Sequence, residues 1–250
     1  MTIPRISVCV PTRDLCNSDF SHSYVKMVAH FCTHFVGRGQ AEIINLMDIG
    51  TLLPDMRNTL ARVSIELGAT HILWLDNDMV FPEDTIERLY KHGKPIVAAG
   101  YSQRKEPAKP VSARNGVWVY TEEDSTGLEE VDFVGMGCML VETAVYENLP
   151  KPWHNLGWSP EKNSVIGEDV YFCNKAREIG AGVYLDHDLT KEIGHVGYRT
   201  FSYLDALNDR PKLLAAQKDR RDGKVATSAG LPDRSEKQPE SPEADDKSAA

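Results

Sequence analysis

Short apolar runs alternate with helix-period segments through the first hundred residues, and nothing else in this chain constrains its fold as strongly. Residues 6–10 form a compact run rich in β-branched side chains, ended by Pro11, and read as a buried strand. Residues 21–36 place Tyr24, Val25, Val28, Phe31, Cys32 and Phe35 at helical spacing, with Gly37 and Gly39 behind them. Residues 41–47 are a second strand. Pro54 opens a second helix, Asp55 sits in its first turn, where the dipole favours an acid, and Gly68 closes it. Residues 71–75 are a third strand, 82–92 a helix capped by Gly93, and 96–99 a fourth strand. This alternation predicts an α/β protein with a mostly parallel, Rossmann-like sheet covered by helices on both faces.

The second half is less regular. Residues 117–120 and 131–141 read as strands, the latter broken at Gly135-Met136-Gly137. Residues 150–166 read as a loop, 169–179 as a helix, 182–185 as a last strand and 211–222 as a short helix. From Gly223 the chain is rich in Ser, Pro, Lys and Glu and has almost no large apolar side chains, so 223–250 is expected to be disordered.

The net charge is −9, and residues 211–250 hold equal numbers of acids and bases, so the folded part carries the whole excess. That argues against broad electrostatic binding of nucleic acid. It leaves room for local basic clusters at Arg104, Lys105, Lys109 and Arg114, or at Lys218, Arg220, Arg221 and Lys224. The simpler reading of both is solvated surface charge. The five cysteines are odd in number and include no C-x-x-C pair, which implies a reducing compartment with neither a disulfide framework nor a zinc site. No apolar run reaches the length of a membrane span and no signal peptide is visible, so a cytoplasmic protein without a membrane partner is expected.

The segment Ile72-Leu73-Trp74-Leu75-Asp76-Asn77-Asp78 carries the strongest chemical signal. It runs from an apolar strand straight into two carboxylates one residue apart. In an open α/β sheet, ligands bind beyond the carboxyl ends of the strands. Two acids placed there repel unless a cation offsets them, and a hard divalent cation can also bridge to phosphate oxygens. The same two acids would equally cap a turn. Pro11-Thr12-Arg13-Asp14 ends the first strand and offers an arginine for phosphate and a hydroxyl for a nucleotide; a plain turn fits it as well. Arg57-Asn58 lies in the first turns of a helix, where anions bind, or forms an exposed polar turn. Gly167-Glu168-Asp169 leads into a helix, with a carboxylate placed either as a general base or as an N-cap. His195 lies between Gly194 and Gly197 and offers an imidazole for a metal, a role for which Asp186-His187-Asp188 competes.

In this order the motifs resemble the GT-A glycosyltransferases, especially the family-2-like group and its small phage-encoded members, over residues 4–200. The matching pieces are Val10-Pro11-Thr12-Arg13, Arg57-Asn58, Asp76-Asn77-Asp78, Phe81-Pro82-Glu83-Asp84, Pro95-Ile96-Val97-Ala98, Gly135-Met136-Gly137, Gly167-Glu168-Asp169 and His195. The resemblance implies one GT-A domain over 1–210, with a nucleotide-binding half to about residue 100 and an acceptor half after it. It implies Mn²⁺ or Mg²⁺ on Asp78 and His195, with Asp76 on the ribose or reaching the metal through water. It places Pro11, Thr12 and Arg13, with Asp48, Arg57, Asn58 and Asn77, around a nucleotide-sugar donor, UDP-sugar favoured. It assigns Gly135 and Gly137 to close approach of the donor sugar, and Asp169, with Glu168 beside it, to proton abstraction from the acceptor. The implied acceptor is a hydroxymethylated pyrimidine in phage DNA or a glycan.

Two other readings stay open on the residues alone. Asp76-Asn77-Asp78-Met79-Val80 after an apolar strand also fits a haloacid-dehalogenase-type phosphatase with Asp76 as nucleophile, although two strands precede it here. A nucleotide-sugar binding module without catalysis is the other.

Overall fold

The structure, a computed structural model, describes residues 3–161, 163–197 and 200–221. The tail expected at 223–250 lies outside the described residues. The first half runs β1 (Arg5–Thr12), α1 (Ser18–His34), β2 (Glu42–Ile49), α2 (Leu53–Glu66), β3 (His71–Leu75), β4 (Met79–Val80), α3 (Thr85–Tyr90) and β5 (Ile96–Ala98). The second half runs β6 (Ser112–Arg114), β7 (Val117–Trp118), β8 (Leu128–Val131), β9 (Phe133–Val134), β10 (Cys138–Glu142), α4 (Thr143–Asn148), β11 (Gly157–Ser159), β12 (Ser164–Ile166) and α5 (Glu168–Glu178). It continues with β13 (Val183–Asp186), α6 (His187–Thr190), β14 (Gly194–Val196), β15 (Thr200–Ser202) and α7 (Tyr203–Arg221).

A 7-stranded sheet in the order β2-β1-β3-β10-β5-β13-β8 forms the centre of a mixed α/β fold. The expectation of a mostly parallel sheet needs correcting. β2, β1, β3, β5 and β13 share one direction, but β10 runs antiparallel between β3 and β5, and β8 runs antiparallel along β13. Apolar periodicity reports how buried a strand is, not which way it points, so residues 131–141 gave no sign of this reversal. They form three pieces in different places: β8 on the sheet edge, β9 in a small sheet with β6, and β10 at the centre.

Alternation of side chains across β3 builds two cores. Ile72 and Trp74 pack on one face with α2 and α5, and Leu73 and Leu75 on the other with α1 and α3. Inside the first core, the Trp74 indole donates to Tyr146 Oη at 2.8 Å, which satisfies a polar group that is fully buried. β1 continues through Pro11, which was expected to end it. The Thr12 carbonyl accepts from Gly50 N on the β2 side, so Pro11 faces the side where β3 pairs only as far as Cys9. No ladder hydrogen bond is lost there.

Other expectations shift at their ends. The helix expected from residue 82 begins at Thr85, whose hydroxyl donates to Pro82 O at 2.6 Å and holds the preceding residues in a turn. The 150–166 loop contains the β11–β12 hairpin. The helix expected at 211–222 starts at Tyr203 and passes through Pro211, so no boundary falls at residue 210. Its start is tied by one carboxylate: Asp205 accepts from Ser202 N at 2.7 Å and from Ser202 Oγ at 3.1 Å. Contacts divide the chain into Met1–Leu214, which holds the sheet and both cores, and Ala215–Ala250, whose described part, 215–221, is helical. All five cysteines are free thiols, and no described helix is long and apolar enough to cross a membrane.

Candidate active site

Because β1 and β3 are parallel neighbours, with Cys9 opposite Trp74, their carboxyl ends open side by side. The polar segments that follow them meet there. The Asn77 amide donates to Thr12 Oγ1 at 2.6 Å and to Leu15 O at 2.7 Å, and Asn77 O accepts from Asn17 N at 3.1 Å. Asn77 therefore welds the two loops together. β14 pairs with β4 so that His195 lies opposite Met79, and Val196 N donates to Asp78 O at 2.8 Å. This brings a residue more than a hundred positions away in sequence onto the acidic turn, with His195 Nε2 3.5 Å from Asp78 Oδ1.

A cleft of about 350 Å³ opens at this junction, lined by Pro11, Thr12, Arg13, Gly50, Thr51, Leu53, Met56, Asp76, Asn77, Asp78, Arg104 and His195. Seven of the residues singled out from the sequence are in that set. Gly50, Thr51, Leu53 and Met56 were missed, and Arg104 had been read only as part of a basic cluster. Gly50-Thr51 follows β2 directly, and the rule that ligands sit beyond strand carboxyl ends would have found it. A larger cleft of about 420 Å³, lined by Asn58, Thr59, Arg62, Lys151, Pro152 and Trp153, holds no carboxylate to bind a cation.

The donor atoms suit a divalent cation at Asp78 and His195. His195 Nδ1 is 2.9 Å from Ser102 O, and a carbonyl only accepts, so Nδ1 donates there and Nε2 is the nitrogen that faces Asp78. Burial raises the Asp78 carboxyl, but the hydrogen bond and charge of His195 and the charge of Arg104 outweigh it, and the group titrates below the usual carboxylate range. Among the described residues no three His, Cys, Asp or Glu side chains gather into a group that holds a metal alone. Two protein donors fit a cation whose remaining ligands are phosphate oxygens and water. The rival cluster is committed elsewhere: His187 bonds Thr121 at 2.8 Å and Glu129 at 3.1 Å, Asp186 accepts from Leu189 N, and Asp188 accepts from Gly127 N.

The remaining expected site residues lie outside the cleft lining. Arg57 is 1% exposed, so it is not a phosphate-binding group at a helix start. Its Nη2 holds Asp76 Oδ1 at 2.7 Å, its Nε lies 3.5 Å from Glu168 without hydrogen-bond geometry, and its guanidinium stacks over Trp74. Burial works against the charge, but Asp76 and Glu168 more than restore it. Arg57 is thus a buried counter-ion that fixes Asp76 from behind. Asn58 bonds Pro54 O, His154 O, Trp153 N and His154 N, which uses all its polar groups to clamp the 153–154 loop. Asp48 lies on β2 opposite Pro11, half-buried and outside the cleft.

Gly135 and Gly137 make room for Tyr101 rather than for a sugar. Gly137 N donates to Tyr101 Oη at 3.2 Å. A Cβ on Gly135 would meet the Tyr101 hydroxyl, lie 2.8 Å from Tyr101 Cζ and 2.9 Å from Val111 Cγ2. Gly135→Ala is accordingly expected to cost about 1–3 kcal/mol in urea unfolding, and an unchanged midpoint would overturn this account. Tyr101 in turn packs edge-on against His195, 4.9 Å between ring centres, so the glycines reach the site indirectly.

At the start of α5, burial and the neighbouring Glu168 charge push the Asp169 carboxyl up to about 6. Its Oδ1 accepts from Val170 N at 2.7 Å, and a Cβ on Gly167 would lie 2.7 Å from that same oxygen, so a side chain at 167 would have to displace the carboxylate. Glu168 faces Arg57, which leaves Asp169 as the carboxylate of the pair without a guanidinium partner within ion-pair distance among the described residues.

No family model matches the chain, and no curated protein matches it. Among solved structures it is similar to A197 from STIV, with 16% identity, a TM-score of 0.51, and coverage of 77% of this chain and 86% of that one. At that identity the likeness concerns the fold alone. It agrees with a mixed α/β fold over 77% of this chain.

Proposed function

We propose that this protein is a metal-dependent glycosyltransferase of the GT-A type, moving a sugar from a nucleotide-sugar, UDP-sugar favoured, to an acceptor hydroxyl. The observation that carries the reading is the convergence of Thr12, Arg13, Asp76, Asn77, Asp78 and His195 on one cleft beyond the carboxyl ends of β1 and β3. In this reading Asp78 and His195 hold Mn²⁺ or Mg²⁺, which supplies charge neutralisation for a leaving diphosphate. Asp76, fixed by Arg57, meets the ribose. Arg13, exposed at the rim, faces phosphate. Asp169 takes the proton of the acceptor hydroxyl as that oxygen bonds to the anomeric carbon and the carbon–phosphate-oxygen bond breaks, and a single displacement of this kind inverts the centre. A carboxyl that titrates near 6 suits that task at neutral pH.

The phosphatase alternative would require Asp76 to attack as a nucleophile. Its Oδ1 is held by the buried Arg57, which favours a fixed binding role instead. The acceptor is proposed to be a glycan ahead of DNA, because the excess of acid lies in the folded part.

Calorimetry tests the core of this reading. Wild-type protein is expected to bind UDP only with Mn²⁺ present, and Asp78→Ala is expected to lose that binding by about a hundredfold or more. Unaltered Mn²⁺-dependent binding in the variant would sink the site assignment.

A further inference from the structure

The cleft contains a cation of its own. Arg104 Nη1 lies 2.6 Å from Asp78 Oδ2, on the carboxylate that the proposed function assigns to the metal, and donates to Val196 O at 3.0 Å. A divalent cation arriving on that carboxylate sets a second positive charge beside the guanidinium and weakens its hold. We propose that Arg104 is an exchangeable counter-charge, paired with Asp78 and passed to the diphosphate of the donor when a cation takes that carboxylate. This rests on the metal-dependent reading of the site and deepens it by adding a donor-binding residue.

The loop that carries Arg104 is built for such a change. Its ends are anchored: Tyr101, Ser102, Ala108 and Pro110 are buried, Gln103 N donates to Lys109 O at 2.9 Å, Ser102 Oγ donates to Ser202 O at 3.1 Å, and Ala108 N to Asp209 at 2.6 Å. Residues 104–107 between these ties are exposed. The arginine can therefore turn while its base stays in place. The charges give it a destination. Arg13 and Arg104 are the two guanidinium groups in the cleft lining, facing the carboxylates of Asp76 and Asp78. Asp76 already has Arg57 behind it. Once a cation takes Asp78, the anion left for Arg104 is the diphosphate, which a planar guanidinium binds through paired N–H groups.

Calorimetry on the full chain separates the two steps. Mn²⁺ is titrated first without nucleotide, then UDP is titrated into Mn²⁺-saturated protein. Arg104→Gln is expected to bind Mn²⁺ alone about tenfold more tightly and UDP about tenfold more weakly than wild type. Unchanged Mn²⁺ affinity in the variant overturns the exchange even if UDP binding weakens, because a simple phosphate contact would do only the latter. Unchanged UDP affinity overturns the transfer to diphosphate. Failure of the underlying reading gives a different result: wild-type protein that binds neither Mn²⁺ nor UDP. Because the Arg104 side chain is 44% exposed, Arg104→Gln is expected to fold normally, and an unchanged melting profile checks this.

Discussion

Asp169→Asn is expected to abolish sugar transfer and at the same time to stabilise the protein by about 2–3 kcal/mol at neutral pH. Both effects have one origin. Burial and the Glu168 charge lift the Asp169 carboxyl to about 6, so the folded protein holds that proton more tightly than the unfolded chain does. The resulting penalty is absent below the unfolded value near 4, develops as pH rises toward 6, and is complete above it. An asparagine removes the charge and keeps an oxygen for Val170 N. Unfolding at pH 7 is therefore expected to show a gain that shrinks to nothing near pH 4. Catalysis runs the other way. The base must be unprotonated, so wild-type kcat/KM is expected to fall about tenfold per pH unit below 6. A variant that transfers sugar normally would end the base assignment. One that is inactive but no more stable at pH 7 would end the electrostatic account of it.

Replacing Arg57 by methionine is expected to cost about 3–5 kcal/mol, because it strands Asp76 and Glu168 beside a buried apolar group. Arg57 is the only arginine among the described residues with its side chain fully buried, and it reaches Asp76 at 2.7 Å and Glu168 at 3.5 Å. Urea unfolding measures the loss, and a change under about 1 kcal/mol would refute the buried ion-pair role. Adding Glu168→Gln to Arg57→Met is expected to recover part of the loss, since one stranded charge is gone. Arg57→Lys should not restore wild-type stability, because an ammonium cannot span both carboxylates while lying over Trp74. A contact with solvent-side phosphate would show none of this coupling to Glu168.

The acidic turn after β3 was legible because an apolar run ending in Asp76-Asn77-Asp78 is a local pattern. Arg57 was legible as a helix-start arginine, but its direction was not. One face of a helix turn is separated from the next by a fraction of a turn, and here it points inward under Trp74. Gly135 and Gly137 were legible as places needing space, and the occupant proved to be Tyr101 from a distant loop. Arg104 was visible as part of a basic cluster; its contact with Asp78 depends on a loop folding back over the sheet end. Ser202 and Asp205 carried a capping signal for α7 that was present in the sequence and missed.

The sequence by itself determined the α/β class, the succession of strands and helices through the first half, and the acidic turn at a strand end. Those follow from periods of two and 3.6 residues and from turn chemistry, which act between near neighbours. Only the tertiary structure decided that β10 enters the sheet backwards, that Arg57 is a hidden counter-ion, and that His195 and Arg104 both reach Asp78. Strand direction and side-chain partners across distant segments depend on which surfaces pack together to bury apolar area and pair charges, and those contacts have no fixed spacing in the chain.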